Sequence, residues 1–268
     1  MATREDDEDD INPVTMILPD DQDDAKRFPT RQEGAPVQQL DQQHYVRSID
    51  STLVIRQLPS QGISFQLWPA ATTLVNLLDH HRRDPTNSPL SSTLIGHRRP
   101  LNILELGSGT GLVGIAAAAT LGANVTVTDL PHVIPNLQFN ADANASVLNL
   151  NGGAVHVAPL SWGEADDVEL IGRDFDLVLA SDVVYHDHLY DPLLETLRLF
   201  LLDRENYKGG GKVFVMAHLR RWKKESIFFK KARKLFQVEV LHVDNPCNGS
   251  RVGVTVYRFA GKSQNLNA

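Results

Sequence analysis

A single α/β domain, its mostly parallel seven-stranded sheet covered by helices on both faces, is predicted by three features of this 268-residue chain. From Leu101 onward, short apolar segments of strand character alternate with helical ones, the pattern of a parallel sheet whose crossovers are helices. Residues 103–115, ILELGSGTGLVGI, carry a strand through closely spaced glycines directly into a helix. The final apolar segment, VGVTVYRF, has no helix after it and so enters the sheet antiparallel.

The elements follow in order. Residues 1–24 hold ten of the 33 acids against one base, Arg4, with little to bury, so 1–40 read as an acidic disordered tail and linker. The remainder carries 23 acids against 25 bases, and its near-neutral charge names no partner. The domain spans 41–262, with a short tail at 263–268. Two alternating segments, 45–57 and 62–67, separated by LPSQG, read as an N-terminal β-hairpin. Trp68 and Pro69 open a helix over 70–81, whose Ala71, Leu74, Val75 and Leu78 recur at i, i+3, i+4 and i+7. Residues 82–100, rich in Pro, Ser, Asn and Arg, form a connecting loop. Then come LNILEL, a helix over 112–121, ANVTVTD, a helix over 133–145, AVHVAPL, DFDLVLASDVV, a helix over 192–202, GKVFVMAHL and a helix over 223–236. VGVTVYRF pairs with an extended 238–243 or with GKVFVMAHL.

Composition narrows the setting. With Cys247 as the only cysteine, no intrachain disulfide and no cysteine-based zinc site can form, which fits a reducing compartment. His186 and His188 flank Asp187, yet no further cluster supplies a ligand set, and no metal is expected. No run of 18 apolar residues occurs and the N-terminus is acidic, so neither a membrane span nor a secretory signal is expected. The expectation is a monomer in the cytoplasm, with the nucleus also open to it.

The glycine run has the shape that holds a nucleotide-like cofactor. Gly107, Gly109 and Gly111 remove the β-carbons that would block backbone approach, and the N–H groups opening the next helix can face an anionic end. Asp129 closes the second strand about twenty residues further on, where a carboxylate can grip ribose hydroxyls. Gly109, Gly111 and Gly114 also spell GxGxxG, so the loop alone admits a nicotinamide cofactor as well.

Four blocks carry a more specific likeness: LWPAA at 67–71, ELGSGTGLVGI at 105–115, LSWG at 160–163 and SDVVY at 181–185. In this order they resemble a class I S-adenosylmethionine-dependent methyltransferase, a Rossmann-like fold, and within it the protein-lysine methyltransferases of the methyltransferase-like 21 group. The resemblance covers about Tyr45 to Phe259 and implies S-adenosyl-L-methionine as cofactor. Glu105 at the strand tip can reach the cofactor's ammonium or brace the loop, and Trp162 can shield the adenine. By resemblance Trp68 lines the cofactor site. Gly107, Ser108, Gly109, Gly111, Asp129, Leu130 and Ser181 complete the expected set.

SDVVY closes the fourth strand of the sheet, at the carboxyl edge where such sheets place ligands. Methyl transfer needs a nitrogen lone pair, and a free lysine, with a pKa of about 10.4, must first lose its proton. Asp182 can accept a hydrogen bond from that amine and orient it, and Tyr185 can wall the channel; these are the candidate catalytic residues. Enzymes acting on planar amines typically carry two prolines where this block has Val183 and Val184, which points to a flexible aliphatic amine. The acceptor expected by resemblance is a protein, with chaperones, AAA ATPases and translation factors as the analogous substrates. The segment RRWKKESIFFKKARKLF places eight Lys or Arg between Arg220 and Lys234 against Glu225 alone, a solvated charged helix face. It lacks RNA-binding aromatic motifs, and nucleic acid is not an expected partner. A nicotinamide-dependent oxidoreductase and a non-catalytic scaffold on the same fold remain as alternatives.

Overall fold

The computed structural model describes residues 39–94, 96, 100–202, 212–246 and 252–262. The expected acidic tail up to residue 38, the tail at 263–268 and Cys247 lie outside the described residues. The chain opens with β1 (Leu40–Val46) and β2 (Ser51–Gln57), followed by α1 (Pro69–Arg83), the single turn α2 (Ser91–Leu94), β3 (Asn102–Leu106), α3 (Leu112–Leu121) and β4 (Asn124–Asp129). Next are α4 (Ile134–Ala143), α5 (Ala145–Leu150), β5 (Ala154–Pro159), α6 (Ala165–Ile171), β6 (Leu177–Ser181) and α7 (Tyr190–Leu201). The described chain ends with β7 (Val213–His218), α8 (Ser226–Leu235), β8 (Phe236–Val243) and β9 (Thr255–Gly261).

Seven strands form one sheet in the order β5-β4-β3-β6-β7-β9-β8. The five from β5 to β7 are parallel, and β9 lies antiparallel between β7 and β8. The open alternative for the last strand is thereby resolved: it pairs with both proposed neighbours. Successive side chains of a strand point to opposite faces, and the core divides accordingly. Ile103, Val125, Leu177 and Val215 pack with α1 and α3 on one face, and Leu104, Val178 and Phe214 pack with α6, α7 and α8 on the other. All ten residues of α3 are buried, because sheet, α1 and hairpin enclose it; a helix apolar all round has that fate.

The N-terminal hairpin exists, but with other strands than the sequence indicates. β1 and β2 pair antiparallel from Leu40↔Gln57 to Val46↔Ser51, turning through a 3-10 segment at Arg47–Ile49 and a left-handed Asp50. Only Val46 of β1 is buried, so that strand carries no apolar alternation to read. The segment 62–67, expected as the second strand, instead forms a 3-10 turn at Ile63–Phe65 after Gly62, whose φ is +123°, and Leu58 N–H donates to Phe65 O at 2.9 Å to close the loop.

Other departures are local. The helix expected over 133–145 breaks at Asn144 into α4 and α5, and α6, between β5 and β6, has no counterpart in the sequence reading. Within the expected loop at 82–100, α2 forms and Leu90 and Leu94 are buried. Three asparagines four residues apart, Asn136, Asn140 and Asn144, face the outer edge of β2. Asn144 exchanges hydrogen bonds with both backbone groups of Val54, each 2.9 Å. Asn140 does the same for Arg56, at 2.9 and 3.1 Å, and also donates to Thr110 O at 2.9 Å. Asn136 Oδ1 accepts from Arg56 Nε at 2.8 Å.

Candidate active site

The strand order reverses direction between β3 and β6, since β4 and β5 lie to one side and β7 to the other. Loops leaving the carboxyl ends of adjacent strands diverge at such a point and leave a crevice. A cavity of about 910 Å³ opens there. Its walls are the glycine loop after β3, the turn after β4, the Trp162 loop after β5, the segment after β6, the turn at 61–68 and the Arg221–Trp222 segment after β7.

The glycine loop is held by the neighbouring strand. Ser108 N–H donates to Thr128 O at 2.9 Å, Thr128 N–H returns to Ser108 Oγ at 3.0 Å, and Gly109 N–H donates to Asp129 Oδ2 at 2.7 Å. Leu130 N–H donates to Asp129 Oδ1 at 2.8 Å. Each carboxylate oxygen thus keeps a lone pair for a ligand. Burial pushes the Asp129 carboxyl above its ordinary range, against the pull of those two N–H groups. Gly107 has φ +61°, and a β-carbon there would stand 2.8 Å from the Trp162 ring and 3.0 Å from Val183 Cγ1. The absence of that carbon lets the indole lie against the loop.

Two predicted cofactor residues are placed elsewhere. Glu105 is not at the cavity wall: it is 1% exposed, beneath α3, where Oε2 accepts Gly114 N–H at 2.9 Å. Of its two proposed roles the carboxyl performs the brace. Burial pushes it up to about 8, opposed by hydrogen bonds from Ser108 and Gly114. Gly111 caps α3 with φ +84°, and a β-carbon on it would meet Leu137 at 2.5 Å. Its glycine serves helix packing, away from the cavity.

Trp68, Gly107, Ser108, Gly109, Asp129, Leu130, Trp162, Ser181, Asp182 and Tyr185 are brought together around the one cavity. Trp68 stands just before α1 with its indole N–H donating to Ile63 O at 3.0 Å, which fixes the ring. Asp182 follows β6 in the left-handed region, φ +55°, its N–H held by Ala217 O at 2.9 Å. That conformation costs a residue with a side chain on the order of 1–3 kcal/mol and marks a place the fold over-determines. The Asp182 carboxylate accepts Leu219 N–H at 2.9 Å and takes the Arg221 guanidinium at 2.9 and 3.3 Å. Tyr185 packs beside His186, with ring centroids 4.8 Å apart, and His186 stacks on His188.

Sequence reasoning missed Arg221, Trp222 and the 3-10 turn with Ser64 and Phe65, all in the cavity wall. Arg221 was counted as one charge of a solvated face. Glu225, the lone acid of that segment, was the available signal: it is fully buried, and its Oε2 accepts Arg221 N–H at 3.1 Å and lies 3.0 Å from His218 Nε2. Among the described residues no group of three or more His, Cys, Asp or Glu is placed to hold a metal ion, and no helix is long and apolar enough to cross a membrane.

A nicotinamide enzyme of this architecture needs a second mononucleotide-binding half, whereas after β7 the sheet is completed by two antiparallel pairings. The fold and the crevice fit the class I S-adenosylmethionine-dependent methyltransferases. A family model described as lysine methyltransferase matches residues 48–235. The protein N-lysine methyltransferase METTL21A of Danio rerio is 33% identical over 205 residues, covering 76% of this chain and 80% of that one. The EEF1A lysine methyltransferase 3 of Mus musculus is 30% identical over 198 residues, 74% and 72% of the two chains. A solved O-methyltransferase from Bacillus cereus in complex with SAH aligns with a TM-score of 0.46 at 14% identity, over 75% of this chain and 85% of that one. The chain belongs to the lysine methyltransferase family.

The residues present fit the family's cofactor, S-adenosylmethionine. Asp129 offers two acceptors for ribose hydroxyls, Trp162 an apolar face for the adenine, and the positive φ at Gly107 and Gly109 turns backbone toward the crevice.

Proposed function

We propose that this chain is a monomeric, cytoplasmic enzyme that methylates the Nζ of a lysine in a folded protein, with the acceptor entering past Tyr185 and Trp222. The cofactor supplies a methyl group on a sulfonium, activated for in-line displacement. The acceptor nitrogen must arrive as the free amine with its lone pair available, and the proton given up by the lysine passes to solvent. The chain's own groups position the reaction. Asp129 holds the ribose, the backbone of 107–109 lies against the methionyl part, Trp162 excludes water from the adenine face, and Asp182 presents a carboxylate oxygen to the amine. The rings of Tyr185 and Trp68 favour a cationic group beside them.

The observation that carries this reading is that Asp129, at the end of β4, and Asp182, just past the end of β6, open onto one crevice together with the glycine loop. The expected protein acceptor draws support from the relatives' names, and the EEF1A lysine methyltransferase of Mus musculus makes a translation factor the first acceptor to try. The single cysteine supports a reducing compartment. Calorimetric titration with S-adenosylhomocysteine and, separately, with NAD tests the cofactor; labelled S-adenosylmethionine added with purified EEF1A or a cell extract tests transfer. Micromolar binding of the first ligand with a labelled protein band is the expected result. Binding without labelling of any protein would favour the scaffold, and binding of NAD alone would overturn the reading of the loop.

A further inference from the structure

Arg221 is built into the acceptor end of the crevice more firmly than a surface cation would be. Its side chain is 6% exposed and that of Asp182 3%, and the two meet through Nη2–Oδ2 at 2.9 Å and Nη1–Oδ1 at 3.3 Å. Nη1 also donates to Leu219 O at 3.1 Å, the guanidinium lies 5.1 Å from the Trp68 ring centroid, and Arg221 N–H is tied to Glu225. Behind the pair stands His218, 1% exposed, with Nδ1 3.7 Å from Asp182 Oδ1 and Nε2 on Glu225. Desolvating a guanidinium and a carboxylate is costly, and packed apolar groups would give equal or greater stability. The pair therefore invites an explanation in the chemistry beside it.

A lysine arriving at this end is protonated in water, and the protonated form has no lone pair to react. An unpaired Asp182 would trap the ammonium. With the Arg221 cation in place the Asp182 charge is paired, and the carboxylate still has an acceptor position: Oδ1 takes Leu219 N–H and one guanidinium contact, while Oδ2 takes a single contact and keeps a lone pair. We infer that Arg221 is a positioning residue of the acceptor site, neutralising Asp182 so that the site orients an uncharged amine and does not retain an ammonium. The inference rests on the lysine-methyltransferase reading above. The ionisable groups in contact with the pair are His218 on β7 and Glu225 in the turn before α8, and Tyr185, His186, His188, His132 and Asp129 share the cavity wall.

The test uses n-butylammonium as a lysine surrogate and n-butanol as its uncharged counterpart, titrated at pH 7 into the full chain saturated with S-adenosylhomocysteine, with the fluorescence of Trp68, Trp162 and Trp222, all in the cavity wall, as readout. Arg221→Met should bind n-butylammonium about ten-fold more tightly than wild type, because one opposing charge a few ångströms away is gone. Asp182→Asn should bind it several-fold more weakly, Arg221→Lys should stay within about three-fold of wild type, and n-butanol should be indifferent to all three. Equal n-butylammonium affinity in wild type and Arg221→Met overturns the inference, as does a loss confined to S-adenosylhomocysteine, which would assign Arg221 to the cofactor. Should Arg221→Met not fold, the Lys and Asn variants decide: equal n-butylammonium affinity in those two refutes the role. If the wild-type protein takes up no S-adenosylhomocysteine, the methyltransferase reading itself fails, and the inference with it.

Discussion

Replacing Glu105 by Gln should make the protein more stable at alkaline pH and have little effect in acid. The carboxyl lies fully buried beneath α3, its pKa raised from 4.5 to about 8, chiefly by desolvation. Below pH 4.5 the folded and unfolded chains both hold the proton, and the site adds no pH dependence. Between pH 4.5 and 8 the unfolded chain ionises there while the folded chain keeps its proton, so stability falls as pH rises, by up to about 1.4 kcal/mol per unit. Integrated over that window the loss is under about 1 kcal/mol at pH 5 and about 4 kcal/mol at pH 8. Glutamine retains a carbonyl acceptor for Gly114 N–H and cannot ionise. The unfolding free energy of Glu105→Gln relative to wild type should therefore climb by about 3 kcal/mol from pH 5 to pH 8, a shift of about 1–2 M in the urea midpoint. Urea titrations at pH 5, 6.5 and 8, followed by tryptophan fluorescence, measure it, and other ionisable groups largely cancel in the comparison. A difference that stays flat across the three pH values would refute the burial argument.

Gly107→Ala should weaken S-adenosylhomocysteine binding and cost about 1–3 kcal/mol of stability, because the new carbon meets the Trp162 ring at 2.8 Å in a left-handed backbone; calorimetry and thermal melting would show both together. Asp129→Ala removes the acceptors of Gly109 and Leu130 N–H and should weaken S-adenosylhomocysteine by about 1–3 kcal/mol, and unchanged affinity by calorimetry would take the ribose role from it. Asp182→Ala should abolish labelling of the acceptor protein while the cofactor analogue binds within about ten-fold of wild type, and parallel loss of both would contradict the division between the two acids.

Apart from α6 and the break at Asn144, the strand and helix order from Leu101 to Phe259 was legible because strands and helices alternate as apolar segments, and the Asp129 position because the glycine loop sets a spacing. β1 was not legible, since six of its seven residues face water or its rim and no alternation survives. Residues 62–67 alternate like a strand, yet Gly62 turns the chain before any partner can pair. Glu105 and Gly111 belong to the motif by sequence, and only packing reveals that one faces the underside of α3 and the other Leu137. Arg221 is 39 residues from Asp182, and no local pattern separates it from the lysines beside it; the turn after β7, where its N–H meets the buried Glu225 and its Nη1 the Leu219 carbonyl, decides where it points.

The row of asparagines along α4 makes a helix stand in for a strand. A primary amide offers one acceptor and one donor side, as a peptide group does, and one helical turn roughly spans the two-residue repeat of an extended chain. Asn140 and Asn144 therefore meet Arg56 and Val54 as a paired backbone would, and the outer rim of the hairpin is sealed without another strand beside it. An open rim would be a template for pairing with a second molecule. The seal also works as a linkage: the amide of Asn140 that grips Arg56 grips the Thr110 carbonyl as well, so a partner that tugs on the hairpin pulls on the chain one residue from Gly109.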